Sequence, residues 1–258
     1  MSALRRIVLT PLPKLALSRM MRLLTSVPLP RWLRGSVYRT FGRSYGVNFD
    51  EVAGAPSDYR TFRDFFLRPL ADGVRPIADG PLVWPCDGRI VTSGPISGGR
   101  IEQLKGVDYS IAELLSDDAF ARDLDGGTQA TIYLSPKDYH RVHVPFDAEL
   151  LGSVRVPGGL FPVNPPTVRS IPNLFARNER MVFRFRLPEG DPAAVVMVAA
   201  LNVSDIRAVP TAPCRLTRGD ELGHFGFGST TVVLVGKQGP SIPSLPGDSP
   251  VRLGAAIV

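Results

Sequence analysis

A strand that follows a glycine-rich turn is predicted most clearly in residues 226–235, which read GFGSTTVVLV. The side chains from Thr230 to Val235 are β-branched or apolar, and Gly226 and Gly228 mark the turn before them. Similar runs lie between turn signals after residue 82, at 89–92, 130–134, 150–156, 181–187 and 194–201. We therefore predict an α+β fold that is mainly β, with a compact sandwich-like or barrel-like core and amphipathic helices at the N-terminus.

The composition narrows the class of protein further. With 258 residues, 44% hydrophobic and 21% charged, the chain can bury a core, which excludes a wholly disordered protein. Its 25 glycines and 25 prolines favour short strands and turns over a helical bundle. Cys86 and Cys214 are too far apart in sequence to suggest a disulfide framework or a zinc cluster, so a reducing, intracellular compartment is expected.

Positive charge is concentrated at the N-terminus. Residues 1–49 hold nine basic side chains and no acidic one, whereas the rest of the chain holds 21 basic and 24 acidic side chains. Between Pro13 and Pro28 the pattern predicts an amphipathic helix with a basic face. Such a helix is typical of binding to an anionic lipid surface, and equally of packing on its own domain. Nucleic-acid binding is disfavoured because no recognisable motif accompanies the charge.

Other N-terminal features predict a protein that lies on a membrane without crossing it. Basic residues interrupt the first apolar segment and no cleavage motif follows, so a signal peptide fits poorly. No apolar run is long enough for a spanning helix, and the longest, residues 193–203, is broken by Asn202. A second short helix is expected from Arg31 to Phe41 and a third from Ser57 to Leu67, whose phenylalanine stripe is expected to be core.

The histidines and one serine are the candidate reactive residues. His140 and His143 have an odd spacing, which in an extended segment places them on opposite faces and favours separate roles over one metal site. Ser229 does not fit the nucleophile-elbow motif of hydrolases. Because Gly228 precedes it, Ser229 could attack its own preceding peptide bond, although a simple Gly-Ser turn also explains the pattern. Asp87 likewise fits an ordinary Asp-Gly turn.

Several longer motifs connect these residues and together resemble the bacterial, pyruvoyl-dependent phosphatidylserine decarboxylases. The matching stretches are YRTFRDFF at 59–66, RPL at 68–70, VRPI at 74–77, DG at 87–88, YLSPKDYHRVH at 133–143, IPNLFARNER at 171–180 and GST at 228–230. They follow the family's order, and the basic N-terminal segment is similar to the family's membrane-associating one.

The resemblance implies a role for each reactive residue. Ser229 matches the self-cleavage serine, and Asp87 and His143 match the residues that complete its processing triad. Cleavage between Gly228 and Ser229 converts the serine into a covalent pyruvoyl group, the cofactor, which forms a Schiff base with phosphatidylserine. His140 matches the histidine assigned to decarboxylation, which yields phosphatidylethanolamine.

The resemblance also implies an organisation for the chain. Residues 1–49 form a membrane-associating helical segment and residues 50–258 form one catalytic domain, which is cut into a large subunit, 1–228, and a small subunit, 229–258. The expected partners are phosphatidylserine in an anionic membrane and the protein's own small subunit, in a homodimer of such heterodimers without nucleic acid. The expected location is the cytoplasmic side of the cell membrane, as a peripheral protein.

Some assignments stay open. Polar contacts to the substrate are expected from Lys137, Arg141, Asn173 and Arg177. The family usually has leucine where this chain has Phe227, and the effect of this difference on the rate of processing is open, as is the role of His224. Three other functions remain: a membrane-associated Ser-His-Asp hydrolase without self-cleavage, a non-catalytic phospholipid-binding protein, and a pyruvoyl decarboxylase for a soluble amino acid.

Overall fold

The computed structural model describes residues 14–201, 206–226 and 229–257, with the side chains of all of these except residues 14–19, 165 and 229. The helices are α1 (Lys14–Ser26), α2 (Arg31–Tyr45), α3 (Phe62–Phe66), α4 (Ile111–Leu115), α5 (Asp118–Asp123), α6 (Pro165–Val168) and α7 (Leu174–Arg177). Short 3-10 turns lie at Phe49–Glu51 and Pro56–Asp58.

The strands outnumber the helices in the described residues and run through most of the chain after residue 88. They are β1 (Gly88–Pro95), β2 (Arg100–Leu104), β3 (Val107–Ser110), β4 (Thr128–Leu134), β5 (Arg141–His143), β6 (Ala148–Val156), β7 (Arg180–Arg186), β8 (Pro192–Val198), β9 (Ile206–Ala208), β10 (Cys214–Leu216), β11 (Glu221–Phe225), β12 (Ser229–Val235) and β13 (Pro250–Val251). The prediction of a mainly β, α+β fold is confirmed.

One large antiparallel sheet forms the framework. Its described strands follow the order β10-β6-β7-β8-β12-β4-β1-β13, while β5, β11 and β9 form a smaller sheet and β2 and β3 a hairpin. Strand β12 lies between β8 and β4, with Thr230 opposite both Val198 and Tyr133. Its residues Val232–Val235 are fully buried. Burial of each large apolar side chain stabilises the fold by about 1.5–3 kcal/mol relative to leaving it exposed. The final segment of the chain therefore supplies a central strand of the core.

Helices α2 and α3 pack against each other through aromatic rings. The ring of Tyr38 on α2 stacks on Phe65 of α3 with centroids 4.8 Å apart, and Phe41 meets Phe62 edge-on at 4.8 Å. The expectation that the phenylalanine stripe is core is confirmed, since Phe65 and Phe66 are buried. None of the described helices is long and apolar enough to cross a bilayer.

Two predicted boundaries are corrected by local hydrogen bonds. The helix expected from Ser57 to Leu67 covers only Phe62–Phe66, because a capping box between Thr61 and Asp64 starts it late: Asp64 N–H donates to the Thr61 hydroxyl at 3.0 Å. The strand expected at 194–201 ends at Val198. The amide of Ala199 then donates to the carbonyl of Glu179 outside the strand pairing.

Candidate active site

The central strands place the start of β12 at one end of the large sheet. Ser229 lies opposite Leu134, the last residue of β4, and from there the chain continues into the loop of residues 135–140. The end of β8 lies at the same edge, because Val198 faces Thr230. Phe227, Gly228 and the side chain of Ser229 lie outside the described residues. The backbone nevertheless brings the predicted cleavage point beside the loop that carries His140.

His140 is a buried, neutral imidazole with one nitrogen uncommitted. Its Nδ1 lies 2.8 Å from the carbonyl oxygen of Asp138, which can only accept, so Nδ1 carries the proton. Its Nε2 is buried without a hydrogen-bond partner, and the ring centroid lies 4.1 Å from that of Phe66. Burial lowers the pKa of His140 to about 3. The backbone carbonyl accepts from the amide of Phe225, three residues before Gly228.

The burial of His140 predicts that the protein loses stability in mild acid. The folded pKa of about 3 lies below the unfolded value of about 6.5, so between these pH values the unfolded chain binds more protons and stability falls as pH falls. At pH 5 this one group costs about 2 kcal/mol of unfolding free energy relative to pH 7. Urea unfolding at both pH values measures this loss of unfolding free energy. The two proteins to compare are Ser229→Ala, which is expected to stay uncut, and Ser229→Ala/His140→Gln. An equal loss in both proteins contradicts the prediction.

The loop that carries His140 is fixed by polar contacts at its start. The carboxylate of Asp138 accepts from the backbone amide and the hydroxyl of Ser135, at 2.7 and 2.6 Å. The buried guanidinium of Arg68 donates to the carbonyl of Lys137 at 2.7 Å. These bonds hold the loop in one conformation between the two sheets.

His143 is held through both of its ring nitrogens. Its Nδ1 lies 2.7 Å from the carbonyl oxygen of Gly219, and its Nε2 lies 3.2 Å from the hydroxyl of Tyr139. The carbonyl requires a proton on Nδ1, so Nε2 holds the lone pair and accepts from the tyrosine. Burial lowers the pKa of His143, which keeps the ring neutral near pH 7. Neutral imidazole with an unprotonated Nε2 is the form that acts as a general base.

Asp87 is committed to a different set of partners. Its carboxylate accepts from Nε and Nη2 of Arg75, at 3.0 and 2.7 Å, and from the backbone amide of Leu253 at 2.9 Å. Arg75 also donates to Glu51 at 2.6 Å, and its hydrogen bond lowers the pKa of that carboxyl. No hydrogen bond joins Asp87 to His143, although both side chains are described. The catalytic role of Asp87 stays a prediction; the direct contact expected from a processing triad is not made in this structure.

The predicted substrate contacts differ in how free their side chains are. The guanidinium of Arg141 is occupied by the carbonyl of Leu67 and by Glu221 at 2.9 Å. Asn173 donates to Glu113 at 3.0 Å. Arg177 lies over the ring of Phe161, and Lys137 is exposed beside Asp87. Lys137 and Arg177 are therefore better placed than Arg141 to meet an anionic ligand.

Two cavities flank this region. One, of about 230 Å³, is polar and is lined by Asp87 and Tyr139 together with the basic side chains Arg68, Arg75, Arg89, Lys137 and Arg252. The other, of about 460 Å³, lies between the N-terminal helices and the sheet edge where β12 begins; its lining includes Met21, Phe41, Phe66, Tyr133 and Leu201. Charged and apolar parts of one ligand could thus be accommodated on different sides of the site.

Sequence reasoning missed several residues that shape the site. Arg75 and Tyr139 lie inside the matched motifs but carried no separate signal for their roles, and Gly219 acts through its backbone carbonyl. Glu221 receives hydrogen bonds from His224 and Arg141, which overcome the effect of burial and hold its pKa at about 2. His224 is thus bound to Glu221, at 3.4 Å. The described residues contain no group of three His, Cys, Asp or Glu side chains disposed to bind a metal ion.

Comparisons with known proteins identify a single family. The family model described as phosphatidylserine decarboxylase matches residues 62–258. The phosphatidylserine decarboxylase proenzyme of Chromobacterium violaceum is 42% identical, with 95% of each chain covered. The proenzyme of Pseudomonas aeruginosa strain LESB58 is 43% identical, over 88% of this chain and 86% of its own. That of Stenotrophomonas maltophilia is 42% identical, with 95% of each chain covered.

Proposed function

The chain belongs to the phosphatidylserine decarboxylase family, and on this premise we propose that it cleaves itself between Gly228 and Ser229 and then converts phosphatidylserine to phosphatidylethanolamine. One observation carries the proposal: Ser229 lies opposite Leu134, and the segment that follows Leu134 carries two neutral histidines, the buried His140 and the half-buried His143, each with its proton on Nδ1. A self-processing decarboxylase needs one base for cleavage and one proton carrier for decarboxylation.

Self-cleavage begins with proton transfer from the Ser229 hydroxyl to Nε2 of His143. The serine oxygen attacks the carbonyl carbon of Gly228, and the peptide C–N bond breaks as the proton reaches the amine, which leaves an ester. Elimination then releases the carboxylate of Gly228 and leaves a dehydroalanine at residue 229. Addition of water with loss of ammonia converts this residue to pyruvoyl, so that atoms balance without an external oxidant.

The residues around the start of β12 fit the pyruvoyl group. The group arises from Ser229 itself, and the buried, unpartnered Nε2 of His140 offers a polar contact that the described side chains leave unused. The pyruvoyl carbonyl supplies an electron sink for the pair left when CO2 departs from the substrate. His140, with Nδ1 held by the carbonyl of Asp138, delivers a proton from Nε2 to the carbon that has lost CO2.

The contacts of residues 229–258 support their retention after cleavage. Strand β12 is hydrogen-bonded on both sides, to β4 and β8, and β13 pairs with β1. Asp87 binds the amide of Leu253, which ties the predicted processing aspartate to the small subunit. Because these contacts do not depend on the Gly228–Ser229 bond, the two pieces stay together as one folded unit.

The proposal includes peripheral binding to an anionic membrane, on its cytoplasmic side, and the exposed side chains of the N-terminal helices support the membrane binding. Leu23 on α1 and Trp32 on α2 are 68% and 81% exposed, and Arg22 and Arg31 stand next to them in the chain. Apolar side chains with adjacent cations are suited to the boundary between lipid headgroups and acyl chains. Assembly of two processed chains into a homodimer is part of the proposal, and sedimentation of the cut protein tests it.

Substitution on this surface should weaken membrane binding. We expect Leu23→Glu/Trp32→Ala to lower the affinity for phosphatidylserine-containing vesicles about tenfold or more, because it removes apolar burial and adds a repulsive charge. Cosedimentation with the vesicles measures the affinity. Val107→Glu, which places the same charge on an exposed apolar position of the β2–β3 hairpin, is the control. Equal loss in both proteins, or none in either, contradicts the prediction.

An assay of the purified protein tests the proposed function. Wild-type protein with phosphatidylserine in mixed micelles should release CO2 and form phosphatidylethanolamine, whereas Ser229→Ala should do neither. Hydrolysis of the lipid without CO2 release would favour the serine hydrolase. Vesicle binding without turnover would favour a lipid-binding protein, and CO2 release from free serine but not from the lipid would favour a soluble substrate.

A further inference from the structure

We infer that Tyr139 is a positioning residue for self-cleavage, which acts on His143 through its hydroxyl group and shares the orienting role with the carbonyl of Gly219. The inference rests on the proposed function, in which His143 is the base. In this structure the ring nitrogens of His143 are contacted by this tyrosine and this carbonyl, and Asp87 makes no hydrogen bond to them.

The geometry of the pair carries the first step. The hydroxyl oxygen of Tyr139 lies 3.2 Å from Nε2 of His143, and the two rings are 5.7 Å apart at 28° between their planes. The carbonyl oxygen of Gly219 lies 2.7 Å from Nδ1 of His143 and can only accept, so the ring proton is on Nδ1. The tyrosine hydroxyl must therefore be the donor to Nε2. Burial raises the pKa of Tyr139 to about 12, and the phenol therefore keeps the proton that it donates.

The fold holds both orienting groups in place. Tyr139 is only 7% exposed, and His140, the next residue, is anchored by its backbone to Phe225 of β11. The carbonyl of Gly219 belongs to a turn in which Gly219 donates to the carbonyl of Val144. At Gly219 φ is +89° and an added Cβ would approach Ile77 to 2.7 Å, so the turn requires glycine.

The other charged groups near His143 are already committed. Glu221 lies on β11 opposite His143. Its carboxylate accepts from the guanidinium of Arg141, on β5, at 2.9 Å. Asp220 accepts from the amide and hydroxyl of Thr217, at 2.7 and 3.0 Å. Asp87 is held by Arg75 and Leu253 as described above. Tyr139 and Gly219 are therefore the groups that touch the ring nitrogens.

The consequence for cleavage is that Nε2 is held in one direction before Ser229 uses it. The tyrosine hydroxyl occupies the lone pair until the serine hydroxyl takes its place, and the stack of the two rings limits rotation of the imidazole. A hydrogen bond donated to the neutral ring also favours the neutral form over the charged form. Loss of the hydroxyl should thus slow cleavage and move its pH dependence.

Tyr139→Phe tests the inference, because it keeps the ring and removes the hydroxyl. Tyr59→Phe is the matched control: its half-buried hydroxyl donates to the carbonyl of Ala53 and not to His143. The full-length chains are made by cell-free translation, and the cut fraction is followed with time between about pH 5 and 8. We expect Tyr139→Phe to cleave about tenfold more slowly at neutral pH. The midpoint of its acid limb should lie at higher pH than in wild type, and Tyr59→Phe should match wild type in both respects.

The outcomes separate this inference from the function it rests on. A wild-type chain that is never cut overturns the proposed function and this inference with it. A wild-type chain that is cut, together with a Tyr139→Phe chain that matches Tyr59→Phe in rate and midpoint, overturns the inference alone. Tyr139→Phe could also be cut more slowly while the midpoint of its acid limb is unchanged or lies at lower pH than in wild type. That outcome would assign the tyrosine a packing role and would overturn the inference.

Discussion

We expect the His143→Gln variant to remain a single uncut chain under conditions in which the wild type is fully cut. Glutamine keeps a donor for the carbonyl of Gly219 but offers no basic nitrogen in place of Nε2, which is the atom positioned to take the serine proton. Loss of a general base slows a reaction by about 10² to 10⁴-fold. Time-resolved gel analysis of newly made protein measures the cut fraction.

A second histidine of the same small sheet provides the control for His143→Gln. His224 lies opposite Arg141 on β11 and is bound to Glu221 rather than to the predicted cleavage machinery. His224→Gln should therefore be cut at a rate close to that of the wild type. Rapid cleavage of His143→Gln would remove His143 from the role of base, whatever the control shows.

His140→Gln should separate processing from turnover. Its chain should still be cut, because His143 and its two hydrogen-bond partners are unchanged. Decarboxylation should fall by about 10² to 10⁴-fold, because the variant lacks a ring nitrogen that can carry a proton at the buried position of Nε2. The measurement is CO2 release from phosphatidylserine by protein whose cut fraction has been determined beforehand.

The outcome for His140→Gln is informative only when the cut fraction is high. Bound hydroxylamine, which reacts with the pyruvoyl carbonyl, reports how much processed protein each sample contains. Normal CO2 release per processed chain would contradict a role for His140 in decarboxylation. An uncut His140→Gln chain would also contradict the separation of roles, since it would place this histidine in processing.

The strands were predictable because their signal is local. Runs such as residues 130–134 and 230–235 are continuous and apolar, and the structure places them next to each other in the middle of the sheet. The helix at Phe62–Phe66 was predicted too long, because the aromatic spacing does not reveal where the hydrogen bonds of Thr61 and Asp64 start it. Pattern alone thus identifies an element more reliably than its ends.

The sequence could propose residues for the candidate site but could not indicate most of their contacts. His140, His143 and Asp87 were proposed through their motifs, yet two of the groups that bind them, Gly219 and Leu253, come from distant parts of the chain. Gly219 orients His143 through a backbone carbonyl, which every residue has and which leaves no mark in a sequence. The pairing of Asp87 with Arg75 depends on how the segment between α3 and β1 folds back on itself, so spacing along the chain could not indicate it.

The central claim is that Ser229 is converted into the reactive group by cleavage of its own peptide bond, and the intact mass of the purified protein tests this most directly. The account predicts two fragments from the wild type, 1–228 and 229–258, with the smaller one lighter by one ammonia than the same segment with an N-terminal serine. It predicts one full-length mass from Ser229→Ala. A single full-length mass from both proteins would contradict self-cleavage, and a small fragment that retains an N-terminal serine would contradict the formation of pyruvoyl.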